Sequence, residues 1–426
     1  MTHLADYHAR MVAPGPWHEP ESALPETPPA AHPVRLIAYH LPQFHPVPVN
    51  DAAWGRGFTE WTNVTKALSG VVGQVQPRLP ADLGFYDLSR PEAIAAQAAL
   101  ARRAGIWGFC IHDYWFSGRK VLETPLRLIL AHPEIDLRFC LNWANENWTR
   151  RWDGSDNDVI LAQRHAPGDA EAYIDSIAPA LRDPRYIRVD GRPLVMLYRP
   201  GSLPDPADTV RRWRARAREI GIGELYLVMA DAFEPFEPGP LGFDAAAGFP
   251  PHPFETQPPE DPRLYRRLDP RFAGRLHRYD RLAALTLARR PATGRLLPGV
   301  CPSWDNQARK SRAGRVFLGA TPAKYGHWLR AAMRRALEAP EGERIVFLNA
   351  WNEWAEGAIL EPDRHYGHAW LAETRRALDA IAADPKAGEG EPWPEDDRTP
   401  PEFRARPSRR NYLVNRARSL RRRLGL

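Results

Sequence analysis

Short, almost uninterrupted apolar runs recur along the chain. Each ends in polar and aromatic residues, and most are followed by an amphipathic stretch. The runs fall at 35–44, 108–116, 137–148, 193–199, 225–231, 245–249, 296–305 and 345–348. Helical spacing predicts partners at 91–104, 121–131, 169–182, 206–220, 279–290, 323–338 and 368–383, with Pro91 near the start and Gly105 just past the end of the first. Strands that are apolar throughout belong in a parallel sheet covered on both faces. Eight strand-then-helix units are the number that closes a (β/α)8 TIM-type barrel. A doubly wound open sheet is the alternative. It would place a Gly-rich phosphate loop after the first strand, where this chain has Tyr39-His-Leu-Pro-Gln-Phe44.

The barrel is expected over 34–384. Residues 1–33, rich in Pro, His and Glu, read as a poorly ordered, disordered N-terminal leader without a basic-then-apolar signal pattern. Residues 385–400 read as an acidic, Pro-rich linker, and 401–426 as a basic amphipathic tail. The net charge of +6 belongs to that tail: its nine Arg and one Glu leave the rest of the chain at −2. The body therefore offers no compositional case for nucleic acid. Cys110, Cys140 and Cys301 stand far apart in apolar runs, as buried free thiols do. No run approaches the roughly 18 apolar residues that span a bilayer. The expected location is cytoplasmic, with the tail as a possible peripheral contact at the inner membrane.

On a barrel every strand exit opens on one mouth. The exits supply Tyr39, His40 and Gln43, then His112, Asp113, Tyr114 and Trp115, then Asn142, Trp143, Asn145, Glu146 and Trp148, then Tyr198. Asp231, Trp304, Asp305, Asn352, Glu353, Trp354 and Glu356 complete the ring, with Glu60 and Trp61 as rim contacts from a long loop. Amides and carboxylates take up sugar hydroxyls while indoles cover ring faces. The mouth lacks metal-ligand spacing and any phosphate loop, so neither metal nor cofactor is expected. The plainer readings are core packing for Trp115, Trp143 and Trp304, a satisfied structural role for His40 and His112, and loop capping for Asp113.

The run Glu353-Trp-Ala-Glu-Gly-Ala-Ile-Leu-Glu-Pro362 resembles the catalytic segment of glycoside hydrolase family 99, the retaining endo-α-mannosidases and endo-mannanases. The chain is more similar still to the WbsX-like proteins of bacterial surface-polysaccharide clusters, identified as glycosyltransferases. The motifs shared with them stand at 39–45, 60–67 and 142–148, and the likeness covers about 34–383. It implies Glu356 as general acid/base and Glu353 as the base on the substrate's 2-hydroxyl, whose oxygen then attacks its own anomeric carbon to form a 1,2-anhydro sugar. Two acids three residues apart suit that route better than an ordinary retaining pair flanking the sugar at about 5–5.5 Å. Ala355 stands where the hydrolases carry His. Glu146 with Glu353, from two strand ends, is the rival pair, with Arg150 or Arg151 as alternative partners for Glu146. The implied partners are an oligosaccharide or a lipid-linked glycan of O-antigen, lipopolysaccharide or capsule metabolism. A glycosyltransferase and a non-catalytic glycan-binding barrel are the alternatives to a glycosidase.

Overall fold

A computed structural model of the chain describes residues 4–29, 32–150, 155–233, 237–254 and 257–423. Its centre is a ring of parallel strands: β1 (Arg35–His40), β2 (Ile106–Phe116), β3 (Phe139–Trp143), β4 (Arg192–Leu197), β5 (Tyr226–Asp231), β6 (Ala245–Gly248), β7 (Arg295–Leu297 continuing as Gly299–Val300) and β8 (Ile345–Leu348). Each pairs with the next in chain order, and β8 returns to β1 in register from Arg35↔Ile345 to Ala38↔Leu348. Pro298 divides β7. Its first half pairs with β6 and its second with β8, so the seam closes around a residue that lacks an N–H. The expected TIM-type barrel is the observed fold.

Helices α1 (Pro91–Arg103), α2 (Thr124–Ala131), α3 (Asp169–Arg182), α4 (Pro206–Glu219), α5 (Tyr279–Ala288), α6 (Pro322–Leu337) and α7 (Ala369–Ala383) cover the ring. Local chemistry starts them: Asp205 and Thr321 accept from the N–H groups of Asp208 and Lys324, each ahead of a Pro in the first turn. Among the described residues the expected alternation fails once, because β5 and β6 are joined by a single 3-10 turn, Gly239–Leu241, in place of a helix. The weak run Ala-Ala-Ala-Gly is a strand because small size is what its neighbour needs. A Cβ on Gly299 would lie 2.2 Å from the Gly248 carbonyl oxygen. Only bare backbones fit at that approach.

Two strands are shorter than the apolar runs suggest. The 137–148 run ends as β3 at Trp143, and Trp148–Arg150 belongs to a separate antiparallel hairpin with Ser155–Leu161. The 296–305 run leaves the barrel after Val300, and Trp304–Asp305 joins a small ladder over the mouth. There Arg315–Leu318 pairs antiparallel with Trp304–Asp305 and parallel with Arg275–Arg278.

The leader, expected to be poorly ordered, is packed. Leu4–Met11 is a helix, Tyr7, Met11, Trp17 and Leu24 are buried, and Gly15 N–H donates to the His365 carbonyl at 2.8 Å. Four large apolar side chains anchor a stretch whose overall composition is that of a loose segment. Trp17 Nε1 donates to Asp396 Oδ1, so the acidic stretch 385–400 also lies against the body. The tail forms a helix, Arg409–Arg423, held where Asn415 Nδ2 donates to the carbonyls of Arg263 and Tyr265. No helix among the described residues is long and apolar enough to cross a membrane.

Candidate active site

The strand exits and the ladder enclose a cleft of about 440 Å³. After β8 the chain makes a hairpin, Asn352–Glu353 against Ala358–Ile359, closed by one 3-10 turn, Trp354–Glu356. Glu353 ends the first strand of this hairpin and Glu356 ends the turn, and both side chains line the cleft. Gly357, at φ +62°, supplies the left-handed conformation that ends the turn.

Arg309 sits between these acids. It follows the Trp304–Asp305 strand, and its fork donates from Nη2 to Glu353 Oε2 at 3.0 Å and from Nη1 to Glu356 Oε1 at 2.6 Å. Its Nε reaches Glu60 Oε2 at 3.3 Å. Three carboxylates thus converge on one guanidinium whose side chain is 14% exposed. Burial opposes the Arg309 charge, but the three acids hold its pKa well above the ordinary value. Burial pushes the Glu353 carboxyl up and the charge of Glu60 adds to it, with Arg309 pulling the other way. Glu60, fully buried, is raised by the same desolvation against the same counter-pull.

Aromatic and polar groups line the remaining walls. Tyr114 stacks on Trp148 at 5.6 Å, and Gln43 Nε2 donates to the Tyr114 hydroxyl at 2.9 Å. Trp304 meets the edge of His252 at 5.1 Å, beside Phe249 and Tyr198. His112 accepts at Nδ1 from Asn142 Nδ2 at 3.1 Å, which leaves its proton on Nε2. Burial, with the nearby charges of His40, Arg309 and His252, lowers its pKa to about 3, so the ring is a neutral partner. Glu146 lines the cleft too, with Arg199 Nη1 at 2.5 Å from its Oε1. That partner comes from the exit of β4; the side chains of Arg150 and Arg151, the partners expected from the sequence, lie outside the described residues.

Of the expected mouth residues, Gln43, His112, Tyr114, Glu146, Trp148, Tyr198, Trp304, Glu353 and Glu356 reach the cleft. The others are elsewhere, for physical reasons. Strand side chains alternate between faces, so Tyr39 fills the barrel interior against Phe249 and Phe347 while His40 points outward to Gln97 on α1. Trp115 and Trp143 likewise face outward: Trp143 stacks on Tyr173 of α3 at 4.7 Å, and Trp115 Nε1 donates to Asp169. Asp113 takes Lys120, and Asp231 pairs with Arg289. Asn145 pins the Arg199 backbone, and Asn352 pins Leu41 through both its amide atoms. Asn142 acts through His112. Asp305 accepts from Gln74 Nε2, Trp61 packs on Phe44 and Trp354, and Trp354 Nε1 donates to Glu361. Glu60, expected on the rim, is buried behind Arg309.

Sequence reasoning missed Arg309, Lys310, Arg315, Phe249 and His252, all of which line the cleft. The available signal was position: Arg309 and Lys310 come within six residues of the exit residue Trp304. Among the described residues no cluster of His, Cys, Asp or Glu could hold a metal ion.

A family model for the glycosyltransferase WbsX matches residues 36–374. The chain belongs to the WbsX glycosyltransferase family. The uncharacterized protein WxcX of Xanthomonas campestris pv. campestris is 48% identical over 359 residues in strain B100 and 49% over 358 in strain ATCC 33913, each match covering 84% of this chain. The chain spans about half the length of these curated relatives. Among solved structures, a GH99 endo-alpha-mannosidase from Bacteroides thetaiotaomicron superposes with a TM-score of 0.51 at 15% identity, over 81% of this chain and 96% of that one. At that identity the likeness is one of fold: this WbsX-family barrel shares its architecture with a glycosidase.

Proposed function

We propose that this WbsX-family barrel is a carbohydrate-active enzyme of bacterial surface-polysaccharide metabolism, with retaining, glycosidase-like chemistry on an α-linked glycan. One observation carries the reading: Glu353 and Glu356, held together by the fork of Arg309, line one side of a cleft walled by Tyr114, Tyr198 and Trp304. Acids on one face do not bracket a sugar ring, so the nucleophile is the sugar's own 2-oxygen. Glu353 takes the 2-hydroxyl proton as that oxygen bonds to the anomeric carbon. Glu356 serves the departing and incoming oxygens as acid/base. Glu146, paired with Arg199 in the same cleft, is the rival partner for Glu353. Opening of the anhydro sugar by an acceptor hydroxyl in place of water makes the same site a transferase, which the family name favours.

The test is turnover of an oligosaccharide and lipid-linked glycan panel by Glu353→Gln and Glu356→Gln. Each is expected to lose about 100-fold or more in rate while still binding glycan by calorimetry. Full turnover by both would remove the assignment.

Membrane contact is part of the same proposal, with the enzyme on the cytoplasmic side of the inner membrane. On the basic helix Arg409–Arg423, Leu413 is 65% and Val414 42% exposed. Such a helix lies on anionic lipid with its apolar residues inserted. Co-sedimentation with anionic vesicles should fall several-fold in Leu413→Glu/Val414→Glu. Unchanged binding would rule the helix out as the contact.

A further inference from the structure

A second cavity, of about 200 Å³, lies outside the barrel mouth and shares no lining residue with the cleft. The leader builds one wall of it, through the helix Leu4–Met11 and the stretch that carries Trp17, and residues 396–405 build another. Tyr7, Met11, Trp17, Val75, Tyr366 and Phe403 make its lining largely apolar. The polar atoms of Tyr7 and Trp17 are spent on the protein. The Tyr7 hydroxyl donates to the Gln74 carbonyl at 2.9 Å and accepts from the Gly73 N–H at 2.8 Å, while Trp17 Nε1 donates to Asp396 Oδ1 and Thr399 Oγ1, both at 3.2 Å. A guanidinium already covers one face of Phe403, Tyr366 and Trp17, from Arg10, Arg78 and Arg398 at 4.5–4.8 Å. His365 joins the lining as a neutral ring, since burial lowers its pKa. A sugar or a nucleobase needs hydrogen bonds and an open ring face, and this cavity has few of either to give. An apolar chain needs neither. Two cations stand in the same lining. Arg10 is exposed and makes no ion pair among the described residues, and Arg404 donates from Nε to the Thr399 carbonyl, leaving both terminal nitrogens without a partner there. Asp396, the one acid of the lining, accepts at Oδ1 from Trp17 and from the Thr399 N–H.

We propose that this cavity binds an anionic amphiphile, an apolar chain ending in a phosphate, with the chain among Met11, Trp17 and Phe403 and the phosphate on Arg10 and Arg404. The site is independent of the chemistry assigned to the cleft. At about 30 Å³ for each water-sized group, the volume holds roughly six or seven carbons. The cavity also adjoins the basic helix in the chain. Ala405 lines it, and three residues later the Ser408 N–H donates to the Leu264 carbonyl at 2.8 Å as the backbone enters Arg409–Arg423. One bound chain alone gives marginal, reversible attachment to a bilayer, and a basic surface beside it supplies the second attraction. Cavity and helix together are then a two-part hold on a lipid surface. The amphiphile is either a phospholipid of the bilayer or a polyisoprenyl phosphate.

The probe is octyl phosphate below its micelle concentration, titrated calorimetrically into the full chain beside octyl glucoside, inorganic phosphate and uridine monophosphate. The wild type should bind octyl phosphate about 10-fold or more tightly than any of the other three, because it alone fills the cavity and meets both arginines. Arg10→Gln/Arg404→Gln should lose about 10-fold or more in that affinity. Ala320→Phe, which places a ring in the cavity from its lining, should lose about as much. Melting curves show whether each variant is folded, and the arginine pair, at the rim, decides the matter if the filled variant is not. No binding of octyl phosphate by the wild type, equal binding by the arginine variant, or binding of octyl glucoside or uridine monophosphate as tight as that of octyl phosphate overturns the proposal. Neutral vesicles doped with phosphatidylglycerol or with a polyisoprenyl phosphate then compete against the probe. Whichever displaces it is the source, and displacement by neither overturns the proposal. If octyl phosphate does not bind while anionic vesicles still do so through Leu413 and Val414, the cavity is wrong and the helix contact stands.

Discussion

Arg309→Leu is expected to destabilise the fold by about 3–5 kcal/mol, the usual penalty for removing one partner of a buried ionic group. Leu matches the apolar stem of Arg309 but leaves Glu60, Glu353 and Glu356 facing one another. Glu60 is wholly buried and has no other cation within the distance of an ion pair among the described residues. Two features separate this electrostatic account from a simple packing defect. Glu60→Gln in the same chain should return a substantial part of the loss, because it removes one of the repelling charges at constant volume. The deficit should also shrink as pH falls from 8 to 5, since acids already raised by burial regain protons more readily once their counter-charge is gone. Urea unfolding of the wild type, the single and the double variant at both pH values measures each point. A deficit that ignores both Glu60→Gln and pH would mean that Arg309 contributes through its stem alone.

Glu361→Leu should cost about 3 kcal/mol or more, and Glu361→Gln should change the pH dependence of stability. Glu361 is buried directly beneath the turn that carries the two cleft acids. Its carboxylate accepts from Tyr86 Oη at 2.7 Å, Trp354 Nε1 at 2.6 Å and Gln97 Nε2 at 2.6 Å. Leu strands all three donors, each at about 1–3 kcal/mol. Gln keeps an acceptor and removes the titration. Burial raises the Glu361 pKa from 4.5 to about 7, against the pull of those same donors. The folded protein therefore holds this proton more tightly than the unfolded chain. Its contribution to stability is complete below about pH 4.5 and is lost as pH rises through about 7. Glu361→Gln should flatten that decline in a series of melts from pH 4.5 to 8. Asp305, raised by burial to about 6, leaves a smaller slope in the same window. Parallel stability curves for wild type and Glu361→Gln would show that this carboxyl does not titrate there.

Glu361 also illustrates what a linear pattern hides. It lies five residues beyond Glu356 in the same acidic, indole-rich segment, and nothing in the string separates the acids that face the cleft from the one that holds the turn up. The hairpin separates them: Glu353 and Glu356 reach the cleft, while the chain bends at Gly357 and returns Glu361 beneath. The same limit explains the mouth residues placed elsewhere. Reading every polar residue at a strand exit as mouth-facing ignores the alternation that sends Tyr39 inward and His40 outward.

The order and number of barrel strands were legible in the chain because a strand buried on both faces must be apolar throughout, and that requirement is local. The turn carrying Glu353 and Glu356 was legible for the same reason, since both acids sit three residues apart on one segment. Arg309 was not. It reaches those acids from 44 and 47 residues away and Glu60 from 249, through a ladder that folds back over the mouth. Which charges meet, which indoles pack outward and which carboxyl keeps its proton depend on distances that exist only once the ring has closed.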